Sequence, residues 1–304
     1  MQNRNTLGIV YLCLGVFVFS LQDAIIKFIS LTGNYPVTQA VSIRSLVAIP
    51  ILFAMVWWEA GPRALLSANA KWLLLRALVL FISYTTYYLA FPALPLADAV
   101  ALFFIVPMFV TALAVPFLGE RAGLVAWVAV LVGFAGVLVM LQPGSGVFEP
   151  AALLSLLSAL MYAAAMLMTR KLGVGEAASV MSFYQNTLVL LGALAIAGVS
   201  YGTGVHSASH PSVAFLVRAW EMPTLRDFLL MGFCGVVAAS GMFFLSQAYR
   251  IARASSVTAF EYTGILWAPL WGFLFFAEVP RLTTLAGAAL VVGAGLVALR
   301  GSKN

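Results

Sequence analysis

Residues 7–30 read LGIVYLCLGVFVFSLQDAIIKFIS, an apolar run in which the first ionisable group, Asp23, comes only after sixteen residues and is followed by Lys27 one helical turn later. About 20 residues of this kind cross roughly 30 Å of hydrocarbon as a helix. Arg4 ahead of an apolar run also opens a secretory leader, but this run continues from Leu7 through Ala24 to Ile29 with no small-residue cleavage pattern, so the segment is expected to remain as a first span.

Runs of the same kind recur outward from it. The expected spans are 7–30, 39–58, 72–91, 96–118, 122–141, 150–169, 177–199, 228–249, 255–276 and 282–299. Most linkers are short and hold turn formers, as at Thr32 to Pro36, Gly61-Pro62 and Pro92 to Pro95. Residues 200–227 are the exception, long enough for a small external element. Over the 304 residues 63% are hydrophobic and 9% charged, against about 25% charged in soluble domains. The fold class expected is therefore all-α integral membrane, with ten transmembrane helices.

The net charge of +6 does not point to nucleic acid, because the basic residues stand singly between apolar runs. They read as topology signals. Arg4, Arg63, Lys71, Arg121, Arg170, Lys171, Arg250, Arg253, Arg300 and Lys303 fall on one side of a ten-span chain; Arg218, Arg226 and Arg281 fall on the other. Ten against three places both termini in the cytoplasm. Cys13 and Cys234 lie inside apolar runs without metal-ligand spacing, so neither a disulfide framework nor a metal is expected.

Aligning residue n with n+158 superposes Phe117 and Glu120 on Phe275 and Glu278, and Ala90 and Ala101 on Ala248 and Ala259. Each half then closes with an acidic loop and a glycine-rich helix, Gly133 to Gly136 and Gly293 to Gly295. Residues 7–141 and 150–299 make two five-helix repeats. An odd number of spans obliges the second to enter from the opposite face, giving an inverted repeat with a central site between the halves. A duplicated bundle with no site is the bland alternative.

Lys27, Arg44, and Phe117-Leu-Gly-Glu120 ahead of the glycine-rich fifth helix, echoed by Tyr162 with Arg170 and by Phe276-Ala-Glu278, resemble the drug/metabolite transporter superfamily in its ten-helix EamA-type form. The resemblance spans nearly the whole chain and implies a carrier of small organic metabolites in a bacterial inner membrane, one that alternates between inward- and outward-open states. Relatives of this type export amino acids and drugs or take up riboflavin and S-adenosylmethionine. Amino-acid export is the first expectation and uptake of a ring compound the second, the Asp23 to Lys27 arrangement being similar to the uptake group.

Ionisable groups inside spans are costly and so invite a functional reading. Asp23 and Lys27 share a helix face and are expected to pair, with Arg44 entering from the same end. Lys27 and Arg44 would receive a substrate carboxylate while Asp23 orients them or receives an amine; a structural charge cluster with snorkelling side chains is the alternative. Glu261 is a lone carboxylate in the ninth span, where burial penalises the charged form and suits proton coupling; neutralisation by Arg250 or Arg253 is the alternative. Tyr84 and Tyr88, on one face of the third span with Tyr87 beside them, are expected to line a cavity with Phe103, Tyr262 and Trp267, unless they only pack helices. Gln185-Asn186 and Ser246-Gln247 add neutral polar groups. His206 and His210 are expected to be solvated, with no acidic ligand nearby.

No GxxxxGK[ST] loop is present, so ATP hydrolysis by this chain is not expected, and the absence of HExxH weakens an intramembrane hydrolase reading without excluding it. No catalytic set or cofactor is expected. A membrane enzyme or a scaffold is the rival of another class, and it lacks a convergent nucleophile and base. Small residues four apart, Ala129 with Gly133 and Ala289 with Gly293, allow close helix approach within a protomer or between protomers, and no oligomer is indicated.

Overall fold

Hydrocarbon offers backbone N–H and C=O groups no water, so each apolar run must close its own hydrogen bonds. Accordingly, a computed structural model of the chain, which describes residues 2–32, 35–119, 123–142, 149–172, 175–251, 260 and 263–301, is helical with no strand among the described residues. The helices are α1 (Gln2–Thr32), α2 (Val37–Glu59), α3 (Ala70–Ala90), α4 (Leu96–Phe103), α5 (Val106–Leu118), α6 (Leu124–Leu141) and α7 (Ala152–Leu172). They continue with α8 (Ala178–Thr203), α9 (Pro211–Val217), α10 (Leu225–Ile251), α11 (Gly264–Phe276) and α12 (Leu282–Gly301). Six of them, α1, α2, α3, α7, α8 and α10, are long and apolar enough to cross a membrane by length and composition; α4–α5, α6, α11 and α12 contribute shorter apolar stretches.

The outward faces are apolar. Leu46 is 58% exposed, Leu131 68% and Phe273 62%, the reverse of a soluble surface and the pattern that lipid selects. The inside, by contrast, holds polar groups: Gln22, Lys27, Arg44, Arg76 and Asn186 are all buried.

The run expected as one fourth span is two helices. At the end of α4 the Phe104 N–H bonds to the Val100 and Ala101 carbonyls at 3.2 Å, and the Ile105 N–H reaches the Leu102 carbonyl at 3.4 Å, so the chain tightens there. Pro107 follows, with no N–H to continue an α-helical ladder, and the axis restarts as α5. The expected ninth span, 255–276, is described from Gly264 onward as α11. The long link does hold a small element: α8 runs on to Thr203 and is followed by the short helix α9.

Helices pair across the sequence. α6 packs on α12, α1 on α10, α3 on α7 and on α8, and α2 on α8 and on α10. α7 also meets α4 and α5, while α1 meets α11. α6 and α12 cross closely, where a Cβ on Gly136 would lie 2.8 Å from the Gly287 carbonyl oxygen, and α10 meets α2 as closely, where a Cβ on Gly235 would run into the Arg44 carbonyl oxygen. Close approach therefore uses Gly136 and Gly287, whereas Gly133 faces the Met108 side chain and Gly293 faces open space. Of the spaced small residues, Gly133 allows close approach to α5 and not to α12, because spacing counts along one helix and ignores where each partner axis crosses.

Candidate functional site

A cavity of about 150 Å³ opens between α1, α3, α4, α5, α7, α10 and α11. From α1 it receives Phe19, Ser20 and Asp23, from α3 Ser83, Tyr84, Tyr87 and Tyr88. Phe103 and Phe104 close one side and Tyr162 of α7 another. The periodicity of α3 explains the tyrosines: Tyr84, Tyr87 and Tyr88 fall at i, i+3 and i+4 and so share one face. Tyr84 stacks on Tyr88 at 6.4 Å between centroids. Tyr87 meets Phe103 at 5.0 Å and 49°, and Phe103 meets Tyr162 at 5.4 Å and 62°, so successive rings turn against each other and form a corner.

Asp23 is half-buried and stands in the cavity wall. Its Oδ2 accepts a hydrogen bond from the Tyr87 hydroxyl at 3.1 Å. Behind Tyr88 lies a second, polar layer. With its amide turned so that oxygen faces the donors, Gln22 accepts from the Tyr88 hydroxyl at 2.5 Å and from Arg44 Nη1 at 3.2 Å, and donates to the Cys234 carbonyl at 3.1 Å. Arg44 is 1% exposed, and its Nε and Nη2 have no hydrogen-bond partner among the described residues. Its charge nevertheless acts on Asp23. Beyond it, Asn186 Nδ2 donates to the Ser45 carbonyl at 3.0 Å. Arg44 thus backs the wall and does not line the cavity.

Lys27 does not pair with Asp23 as expected. Its Nζ lies 2.5 Å from Glu278 Oε1 and donates to the Leu94 carbonyl at 2.7 Å, with the Phe276 ring 5.4 Å away. Glu278 Oε2 also accepts from the Leu96 N–H at 2.8 Å, at the start of α4. Ala277, in the left-handed region at φ 53°, makes this possible by turning the chain sharply out of α11, where the Glu278 N–H bonds the Gly272 carbonyl at 3.0 Å. The i, i+4 rule failed because Lys27, near the end of α1, finds both a carbonyl and a carboxylate in the loops above it, while Tyr87 supplies Asp23 from α3. Lys27, too, is absent from the cavity lining.

Trp267 also lies off the lining: it meets Phe17 edge-on at 4.9 Å and stacks on Trp271 at 6.1 Å. Trp271 reaches the cavity indirectly, donating to the Ser20 hydroxyl at 2.9 Å. Glu261 and Tyr262 lie outside the described residues. Of the expected site residues, the cavity brings together Asp23, Tyr84, Tyr88 and Phe103. It adds Tyr87, which the same helical spacing points to, and Tyr162 and Ser158, for which α7 carries no periodic signal of its own.

Two polar groups elsewhere take structural roles. His210, expected to lack an acidic neighbour, has Nε2 3.1 Å from Glu149 Oε1, while its Nδ1 caps α9 by accepting from the Ser212 N–H at 3.2 Å. Gly198-Val-Ser-Tyr-Gly202 fits the GxSxG nucleophile pattern, but Ser200 sits inside α8 and donates to the Val205 and Val217 carbonyls. A nucleophile elbow needs a strand-to-helix turn. Here the serine ties the helix end to its loop.

Long apolar helices around a ring-lined cavity, with one carboxylate in its wall among the described residues, define a multi-pass membrane protein with an internal pocket. The model of the EamA-like transporter family matches residues 6–142, and the chain belongs to that family. It is 30% identical over 298 residues to the pseudopaline exporter of Pseudomonas aeruginosa, covering 98% of this chain and 97% of that protein. A riboflavin transporter of Rhizobium johnstonii is also 30% identical, over 98% of this chain and 92% of the relative. An S-adenosylmethionine uptake transporter of Rickettsia prowazekii is 25% identical, over 98% and 94%. A crystal structure at 16% identity superposes with a TM-score of 0.62 over 98% of this chain and 96% of the other, which supports the fold alone.

Proposed function

We propose that the protein is a secondary carrier of small organic metabolites in a bacterial inner membrane, and not an enzyme. The observation that carries this reading is a cavity walled by both halves of the chain, with α1, α3, α4 and α5 on one side and α7, α10 and α11 on the other. A site at such an interface can be reached alternately from either face when the halves rock.

The helix packing supports ten spans arranged as repeats 7–141 and 150–299. Exchanging the halves converts the α1–α10 contact into α7–α3, the α2–α10 contact into α8–α3, and the α1–α11 contact into α7 against α4–α5; α2–α8 and α6–α12 convert into themselves. A two-fold exchange of the halves produces this set, and with five spans in each half its axis would lie in the membrane plane. The linkers follow it. The start of α2 is clasped by the α9–α10 link, through Gln39 Nε2 to the Glu221 carbonyl at 2.6 Å and Trp220 Nε1 to Thr38 Oγ1 at 3.1 Å. The start of α8 is held by the α2–α3 region, through the Ser179 N–H to Glu59 Oε2 at 3.0 Å, with Asn69 donating to Glu176 at 2.9 Å. With both termini cytoplasmic, the first clasp is external and the second internal. Lys27 and Glu278 then close the external end above the cavity.

Amino-acid export remains the first reading of the substrate. Uptake of a ring compound is favoured by the tyrosine and phenylalanine walls, and the named relatives include both exporters and uptake carriers. Glu261 is proposed as the coupling group. Purified protein in liposomes, presented with amino acids, riboflavin and S-adenosylmethionine under and without a proton gradient, tests the reading: flux of at least one of them above protein-free vesicles supports a carrier. No flux from correctly inserted protein across a broad metabolite panel defeats it.

A further inference from the structure

The cavity wall is chemically one-sided. Apart from tyrosine hydroxyls, Asp23 is its ionisable side chain among the described residues, and no lysine, arginine or histidine joins it. Tyr87 donates to Oδ2, and Oδ1 receives no hydrogen bond from the described residues. The Tyr88 hydroxyl is turned away toward Gln22 and Arg44, which leaves its ring as the part of the side chain toward the cavity. Aromatic faces carry negative potential and attract cations. Arg44 acts on Asp23 from behind Tyr88 and outside the lining, whereas a molecule in the cavity meets the Asp23 carboxylate directly, and charge interactions fall off with separation.

Resting on the carrier reading, we infer that the cavity selects a substrate whose charged end is a cation, an ammonium, a sulfonium or an alkylated ring nitrogen. The cation sits against Asp23 Oδ1, within the corner formed by Tyr87, Phe103 and Tyr162. The turned rings suit this: at 49° and 62° to one another they present faces to a charge from several directions. A substrate carboxylate meets the opposite environment in this wall, with no cationic side chain to receive it. Selection is thus set by Asp23 and the rings, and Lys27 and Arg44 act on the protein's own groups.

Equilibrium dialysis on the full-length protein in lipid nanodiscs tests this with three probes of one shape: N-methyl-4-phenylpyridinium, uncharged 4-phenylpyridine, and biphenyl-4-carboxylate. The cation is expected to bind about tenfold or more tightly than the neutral probe, a ratio within the range of a carboxylate and a desolvated cation–ring contact acting together. Asp23→Asn should remove most of that preference and leave the neutral probe within about twofold, while Tyr162→Leu should weaken the cation about threefold or more and Tyr162→Phe should not. Equal binding of cation and neutral probe overturns the inference. So does tighter binding of the carboxylate, equal loss of both probes in Asp23→Asn, or no binding of any probe to protein that melts normally. Flux is read separately in liposomes: cation-selective binding without flux defeats the carrier reading alone, and flux without cation preference defeats this inference alone.

Discussion

The Nζ of Lys27, near the end of α1, and the Oε1 of Glu278, one residue past the left-handed turn at Ala277, stand 2.5 Å apart in a pair of which the lysine is 1% and the glutamate 22% exposed. The pair joins the first span to the last inter-helix loop and, through Leu94 and Leu96, to the entry of α4. Breaking a buried ion pair by removing one partner costs about 3–5 kcal/mol, because the remaining charge is stranded. Lys27→Met and Glu278→Gln are each expected to lower the melting temperature in detergent, and the double variant to lose clearly less than the sum. Additive losses would show that the two side chains are not coupled.

Arg44 backs the cavity wall through Gln22 and Tyr88. Arg44→Gln is therefore expected to reduce flux of a carboxylate substrate and of its amide analogue alike, together with thermal stability. If only the acid loses flux while the melting temperature holds, the guanidinium binds a substrate carboxylate by a charge-assisted hydrogen bond in another state of the cycle.

Gly136 and Gly287 set the α6–α12 spacing. A methyl at Gly136 would lie 2.8 Å from the Gly287 oxygen and 3.0 Å from the Leu290 Cβ, so backbone must move to admit it. Gly136→Ala should destabilise the protein by about 1–3 kcal/mol, the usual cost of overpacking. Gly293→Ala, which meets nothing within 4 Å, is the matched control and should change little. Equal behaviour of the two would rule out the close crossing.

If Glu261 is the coupling group proposed above, Glu261→Gln should abolish the proton dependence of flux while expression and melting stay near wild type. Retention of wild-type flux and its pH dependence would make the residue structural.

Topology is tested by reporters. A cytoplasm-active fusion at the C-terminus should be active, and one placed within 204–210 inactive, with a periplasm-active reporter giving the reverse. The opposite result would remove the external assignment of the Lys27–Glu278 closure and the inverted repeat with it.

Much of this protein is written locally. Apolar runs such as 7–30 specify membrane helices because lipid leaves the backbone no other way to satisfy its hydrogen bonds. The face shared by Tyr84, Tyr87 and Tyr88 follows from helical periodicity, and the break between α4 and α5 from the missing N–H of Pro107. Partner choice is different. Asp23 and Lys27 share a face and still do not pair, because each finds a better neighbour on an element distant in sequence: Tyr87 on α3, Glu278 beyond α11. Gly136 was as visible as Gly133, but only the point where α12 crosses decides which of them touches it. Residue spacing determines which side chains a helix presents together; what they meet depends on the angles and offsets at which separate helices pack. Tertiary structure alone therefore put Asp23 in the cavity wall and Arg44 behind it.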